Sequence, residues 1–316
     1  MNRSQTTPGC IDVAAAIVRQ ADGRVLLAER PHAKPWAGYW EFPGGKIETG
    51  EAPLAALARE LHEELGIELE AATPWMTFVY AYPEKSVRLH FFRVSRWHGT
   101  PYGREGQRLA WEKPEALTVS PLLPANERVL RALNLPSLYA ISQASQYGVD
   151  EFMHRLKGAL EHGVRLIQVR EREMSPEELV RFAQRVVEVA HAYGARVLVN
   201  GDATVAKRAG ADGVHLQGQQ LMQLDVPPPT GIWAASCHDA RELERAAVLG
   251  ASFVVLSPVL PTASHPGEAG IGWEKFAALI RDYPLPVYAL GGMKTALLDT
   301  AIQHGAHGIA LLSGAW

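Results

Sequence analysis

Cysteine is nearly absent from this chain: among 316 residues only Cys10 and Cys237 occur. Two thiols so far apart make no disulfide framework, and they fit a reducing compartment. Charge of one sign is lacking too. The 31 lysines and arginines against 34 aspartates and glutamates leave a net charge of −3, with no long basic or acidic block. That balance excludes a broad nucleic-acid-binding face. A small anionic substrate stays compatible, since it needs a local site and not a global field. No uninterrupted apolar run approaches the ~18 residues of a membrane span, and the polar stretch Met1 to Cys10 lacks the apolar core of a signal peptide. The expectation is a cytoplasmic protein with neither membrane nor direct nucleic-acid partners.

What is present is a globular composition, 47% hydrophobic and 21% charged, on a length that suits two domains. Residues 11–19 and 25–29 read as strands flanking a turn at Asp22 and Gly23, a hairpin signal, and residues 77–82 and 87–97 as another pair. Residues 53–64 read as a helix with Leu54, Leu57 and Leu61 on one apolar stripe, and 125–133 as a second helix. Pro136 then interrupts the pattern, which places a domain boundary near Asn134 and divides the chain into 1–134 and 138–316.

The second half repeats a unit in which a helix-ending glycine precedes a strand, at Gly163, Gly194, Gly210, Gly250 and Gly305. Ser175 and Asp239, each followed by a glutamate three positions on, mark helix starts. Short apolar strands fall near Leu138, Leu166, Val197, Val214, Trp233, Val254, Val287 and Ile309. Eight strands alternating with helices predict a (β/α)8 barrel, with an open doubly wound sheet as the alternative that periodicity leaves standing.

The strongest chemical signal lies at residues 45–67. Glu60, Glu63 and Glu64 sit at i, i+3 and i+4 of the predicted helix and so share a face. Three like charges there repel unless a cation joins them, and hard carboxylate oxygens suit Mg²⁺ or Mn²⁺. A solvated acidic face is the plain alternative. The preceding loop favours the metal: Gly44 and Gly45 allow close approach of backbone to an ion, Gly50 punctuates the loop, and Glu51 can pair with Arg59.

These residues match the Nudix box at its fixed positions. With Trp40 to Glu48, Gly103 to Gln107 and Pro124 to Glu127, residues 11–133 resemble the MutT-type 8-oxo-dGTP diphosphatases. The resemblance implies a Nudix α/β/α sandwich and hydrolysis of a nucleoside triphosphate to monophosphate and pyrophosphate. It implies metal held by Glu60, Glu63, Glu64 and the carbonyl of Gly45, with Glu105 as a further ligand or as helper of the attacking water. It also implies that Asn126 reads the purine edge and that Arg30 and Phe42 line the base or sugar pocket. From the residues alone, Asn126 could equally cap its helix, Arg30 lie on the surface and Phe42 fill the core.

In the second half, Gln168, Arg170 and Arg172 alternate along a strand and point to one side, and converging arginines suit a phosphate. Gly291 and Gly292, with Ser313, end the last two strands, where such barrels bind phosphate, though glycines there also serve as turns. Together with Asn200, His215, Ser236, Pro258 and Thr262, these residues resemble thiamine phosphate synthase and its TenI-like relatives. That resemblance implies a thiazole or pyrimidine phosphate ligand. The departures are Gly201 and Gln220 where the synthase has metal-binding carboxylates, and His265 and Arg172 where it has lysines. Departure of pyrophosphate needs a cation, so losing both carboxylates argues against full synthase activity. His238 is placed to act as a base for tautomerase chemistry, and is also compatible with a structural hydrogen bond.

Three readings remain. The first is a nucleotide-sanitising pyrophosphohydrolase fused to a synthase-like barrel. The second is a thiamine-pathway enzyme whose first half removes pyrophosphate from thiamine precursors. In the third, the barrel only binds and senses a phosphorylated metabolite.

Overall fold

The computed structural model describes residues 10–262 and 269–316. His265 and residues 1–9 lie outside the described residues. The described residues form two compact units, one within residues 1–134 with 281–284, the other within residues 135–280 with 285–316.

The first unit comprises β1 (Cys10–Val18), β2 (Val25–Glu29), β3 (Trp40–Glu41), β4 (Gly44–Lys46), α1 (Pro53–Leu65), β5 (Glu68–Ala81), β6 (Ser86–His98), β7 (Leu109–Glu112) and α2 (Pro124–Leu133). Four strands make a mixed sheet in the order β4-β1-β6-β5, in which β1 and β6 run parallel, and β3-β2-β7 make a separate antiparallel sheet. Strand β1 explains the layering. Its period of two sends Ala14, Ala16 and Val18 into one core with Leu57, Leu61 and Leu65 of α1. Ala15 and Ile17 go into another core with Phe42, Phe78 and the α2 residues Val129 and Leu130. A sheet buried on both faces between helices is the α/β/α sandwich expected.

Two local expectations need correction. Strands β1 and β2 do not form a regular hairpin. The turn is hydrogen-bonded, Gln20 N–H to Arg24 O at 2.9 Å, but only the Arg19–Val25 bridge joins the strands before each enters a different sheet. The turn forms as its Asp22 and Gly23 dictate, and each strand's larger apolar demand pulls it elsewhere. On α1, Leu54 is exposed, and the buried stripe is Ala56, Leu57, Leu61 and Leu65. The stripe begins after the first turn, where the sheet starts to cover the helix.

The second unit comprises β8 (Leu138–Ile141), α3 (Ala144–Tyr147), α4 (Val149–Glu161), β9 (Leu166–Val169), α5 (Pro176–Ala192), β10 (Arg196–Asn200), α6 (Ala203–Ala209), β11 (Gly213–Leu216), α7 (Gly218–Gln223), β12 (Ile232–Cys237), α8 (Ala240–Leu249), β13 (Phe253–Leu256), α9 (Gly272–Ile280), β14 (Val287–Ala289), α10 (Leu298–Gln303) and β15 (Gly308–Leu311). Each strand pairs in parallel with the next, and β15 closes onto β8 through Ile309–Leu138. Closure removes the open-sheet alternative. Tyr139, Leu166, Leu198, Phe253 and Tyr288 fill the interior, while the outer faces of β9 and β10 bury Ile167, Val169, Val197 and Val199 against α4 and α5. Gly210 and Gly250 end α6 and α8 in the left-handed conformation, as expected. Ser175 forms a full capping box with Glu178. Asp239 caps α8, but Glu242 takes the N–H of His238 and not that of the cap residue.

Candidate functional site

Helix α1 begins with Pro53, whose missing N–H costs nothing in a first turn, and ends at Gly66 in the left-handed conformation. Between these ends Glu60 and Glu63 share Arg59, while Glu64 faces Lys34. The carboxylate of Glu60 lies against the backbone of β4: a Cβ on Gly45 would fall 2.1 Å from Glu60 Cδ and 2.2 Å from Oε2. Only glycine leaves that space, so the Glu60 carboxylate and the Gly45 backbone form one cradle.

Arg59 holds the cradle in shape. Its Nε and Nη2 each donate to Glu51 at 3.0 Å, its Nη1 to Glu60 at 2.9 Å and Glu63 at 3.3 Å, and its Nη2 also to the Lys46 carbonyl at 3.0 Å. The Glu51–Arg59 pair foreseen from the sequence is therefore present. Its hydrogen bonds to Glu51 and then to Glu60 push the guanidinium pKa up, and the same donation holds Glu51 below the usual carboxylate range. Glu63 is the most exposed of the helix carboxylates, at 56%.

Glu64 turns the other way. Lys34 donates to its Oε1 at 3.1 Å and to Glu105 Oε2 at 2.8 Å. Glu105 is brought there by a turn docked on the end of α1. Tyr102 N–H bonds Leu65 O, Arg104 N–H bonds Glu64 O, and the Gln107 amide donates to Glu64 O at 3.0 Å while accepting from Glu105 N–H at 2.8 Å. Burial, followed by the charges of Glu105 and Glu60, raises the Glu64 pKa against the opposing pull of Lys34. For Lys34, burial lowers the pKa, and the bonds and charges of Glu105 and Glu64 outweigh it. Among the described residues no three carboxylate, histidine or cysteine side chains converge closely enough to hold a metal ion as they stand. The donor chemistry still suits a hard divalent cation: carboxylate oxygens on α1 and the 103–107 turn, with a backbone cradle that a side chain would fill.

Arg30 is engaged, donating through Nη1 to both Glu41 oxygens at 2.5 and 2.6 Å and through Nε to Pro35 O at 2.8 Å. Burial pushes Glu41 up to about 7 despite that partner. Phe42 is deep in the α2-side core, edge-on to Phe91. Asn126 is not a helix cap. Leu123 holds that position and Asn126 sits inside α2, 4% exposed, with its side-chain N–H₂ group unpartnered. A buried amide with an unused donor is costly unless a ligand meets it. No motif marks the aromatic wall of Trp36, Tyr39, Tyr80 and Tyr82, whose neighbouring rings lie 4.6–5.8 Å apart. Burial and the nearby Glu41 charge raise the Tyr82 hydroxyl to about 12.

In the second unit a buried polar chain crosses the barrel interior. Asn200 Nδ2 donates to Gln168 Oε1 and Gln168 Nε2 to the Tyr139 hydroxyl, each at 3.2 Å. His215 lies 3.2 Å from that hydroxyl through Nδ1 and 2.9 Å from Ser236 Oγ through Nε2. Burial, then the charge of Arg170, lowers His215 to about 3, so it stays neutral. The alternation read for Gln168, Arg170 and Arg172 holds only to Val169, where β9 ends. Beyond it Arg170 is half-buried and Arg172 exposed. Between them Glu171 is buried, accepting from Ser142 Oγ and the N–H groups of Ala144 and Ser145. Gln220 donates to Gly201 O and accepts from Gln217 N–H, both at 3.0 Å. His238 is exposed and lies 2.9 Å from Glu242. Gly291 packs where a Cβ would meet Pro258 at 2.9 Å, Gly292 has φ of 66°, Thr262 is half-buried and Ser313 is exposed. Among the described residues no helix is long and apolar enough to cross a membrane.

The profile described as NUDIX domain matches residues 11–133, and that described as thiamine monophosphate synthase matches residues 138–315. An 8-oxo-dGTP diphosphatase from Haemophilus influenzae is 41% identical over 123 residues, covering 39% of this chain and 90% of that protein. A CTP pyrophosphohydrolase from Escherichia coli is 42% identical over 122 residues, 39% of this chain and 90% of that protein. A thiamine-phosphate synthase from Desulfitobacterium hafniense is 31% identical over 182 residues, 56% of this chain and 87% of that protein.

Proposed function

Because the chain belongs to the Nudix family through its first half and to the thiamine monophosphate synthase family through its second, we propose that the first unit hydrolyses oxidised nucleoside triphosphates, 8-oxo-dGTP foremost, to the monophosphate and pyrophosphate. Such a reaction removes a mutagenic precursor from the nucleotide pool. The single observation that carries the specificity is Asn126, a buried amide with an unpartnered donor. A site built to pair a polar edge rejects an analogue lacking it by far more than an apolar pocket can.

Glu60, Glu63, Glu64, Glu105 and the Gly45 carbonyl would hold Mg²⁺ or Mn²⁺. When bound, the cation neutralises the triphosphate and acidifies a water. Arg59 keeps Glu60 in its cradle against Gly45. A glutamate of α1, or Glu105, takes the proton as the water oxygen bonds to the β-phosphorus and the bond to the α-phosphate oxygen breaks. The wall of Trp36, Tyr39, Tyr80 and Tyr82 gives a base a stacking surface, and the Arg30–Glu41 pair supplies donor and acceptor beside it.

A second reading is supported by the CTP pyrophosphohydrolase relative, as similar as the diphosphatase. One assay separates them: kcat/KM for 8-oxo-dGTP, dGTP and CTP, followed by pyrophosphate release. Preference for 8-oxo-dGTP supports the first reading, preference for CTP the second, and equal rates for 8-oxo-dGTP and dGTP overturn the role given to Asn126. For the barrel, the proposal is a site for a thiazole or pyrimidine phosphate, with Arg170, Arg172, Gly291, Gly292 and Ser313 toward the phosphate and little synthase turnover. The neutral amide of Gln220, bonded to Gly201 O, supports this, since neither residue offers a carboxylate to a cation. Rapid formation of thiamine phosphate from pyrimidine diphosphate and thiazole phosphate would overturn it.

A further inference from the structure

Lys34 stands between two carboxylates that the chain brings from different places, Glu64 on α1 and Glu105 on the 103–107 turn, at 3.1 and 2.8 Å. Glu64 is 13% exposed in its side chain and Lys34 41%, so one ammonium balances two negative charges at the edge of the solvent. Without a cation there, docking the 103–107 turn on α1 would press like charges together.

The loop that carries Lys34 is fixed at its base. Arg30 N–H bonds Tyr39 O at 2.8 Å, and Gly38 N–H bonds Arg30 O at 3.0 Å. Trp36 is held at a φ of 62°, a conformation rare for a bulky residue, while its ring packs on Tyr39 and Tyr82. The backbone near Lys34 is therefore anchored, and what can move is its flexible four-carbon stem. An ammonium is a strongly hydrated point charge that swings readily between partners, and it competes with a hard dication for the same oxygen lone pairs.

We propose that Lys34 is the site's internal counter-ion: it holds Glu64 and Glu105 together in the metal-free protein, gives up its place to a divalent cation, and turns to the substrate's phosphates when it does. This rests on the nucleotide-hydrolase reading. Lys34 is then a positioning residue that makes loading conditional. Expelling an ammonium into water costs binding energy, and a triphosphate offers it a new partner. Cation and nucleotide thus bind more tightly together than apart, and by linkage each strengthens the other by the same factor.

The test is Mn²⁺ binding to the full chain, followed by the electron paramagnetic resonance of free Mn²⁺, with and without a non-hydrolysable triphosphate. Lys34→Met should bind Mn²⁺ about three- to thirtyfold more tightly than wild type without nucleotide, from the loss of two competing ion pairs. It should also show less nucleotide-induced tightening than wild type, once each titration is corrected for the Mn²⁺ that the triphosphate holds without protein. Lys34→Arg should keep the wild-type coupling, and Lys34→Gln should follow Lys34→Met. Unchanged or weaker Mn²⁺ binding in Lys34→Met, beside clear binding by wild type, overturns the counter-ion role and leaves the hydrolase reading intact. Absence of Mn²⁺ binding in wild type and variant alike overturns both.

Discussion

Replacing Gly45 by alanine isolates the cradle from the fold. The backbone of Gly45 lies outside the left-handed region, so alanine meets no conformational penalty, and in a strand it gains about 0.5–1 kcal/mol over glycine. The added methyl would sit 2.1 Å from Glu60 Cδ. Carbon contacts settle near 3.5 Å, so the carboxylate must retreat by about 1.4 Å. It is the end of a flexible side chain, and the unfolding free energy should change by less than about 1 kcal/mol. Catalysis should suffer far more, because a misplacement of about 1 Å costs on the order of 10²-fold, near 3 kcal/mol in the barrier. The assay pairs thermal unfolding of Gly45→Ala with kcat/KM from pyrophosphate release. A variant as stable as wild type with kcat/KM within about threefold of it would show that the position of Glu60 does not matter.

Arg59→Lys should cut kcat/KM by about 10- to 100-fold, since a lysine cannot span Glu51, Glu60 and the Lys46 carbonyl at once; steady-state kinetics reads it. Asn126→Ala should erase most of the preference for 8-oxo-dGTP over dGTP while costing less than about 1 kcal/mol of stability, as its amide donor has no internal partner to lose; competing-substrate assays and denaturant melts check the two halves. His215, lowered to about 3, makes the barrel acid-sensitive. Its folded pKa lies below the unfolded value near 6.5, so its contribution is present above that pH and is lost as pH falls toward 3. Near pH 4.5 the loss reaches about 2–3 kcal/mol. Denaturant melts of His215→Gln across this range should lack that slope.

How far the sequence reached depends on whether a contact is local or distant. Helix α1, its glycine stop and the Glu51–Arg59 pair were legible because spacing on one helix and its adjoining loop determines them. The barrel was legible because each strand is one half of a repeated unit. The β1–β2 hairpin was misread because a good turn says nothing of which sheet each strand joins. Lys34 escaped because its partners lie 30 and 71 residues away, and nothing in its neighbours marks it. The aromatic wall escaped for the same reason, since Trp36 and Tyr82 meet only in the fold. At the barrel mouth, alternation predicted one polar side for residues 168–172, but alternation is a property of strands and this strand ends at Val169. Glu171, spent on the backbone of α3, was invisible for that reason.

On this reading, one helix face works on a polyphosphate through a divalent cation. The most direct measurement is pyrophosphate release from 8-oxo-dGTP with and without Mg²⁺, wild type beside Glu63→Gln. Release should need the cation and fall by about 10³-fold or more in the variant. Release that persists without any divalent cation, or survives in Glu63→Gln, would contradict it.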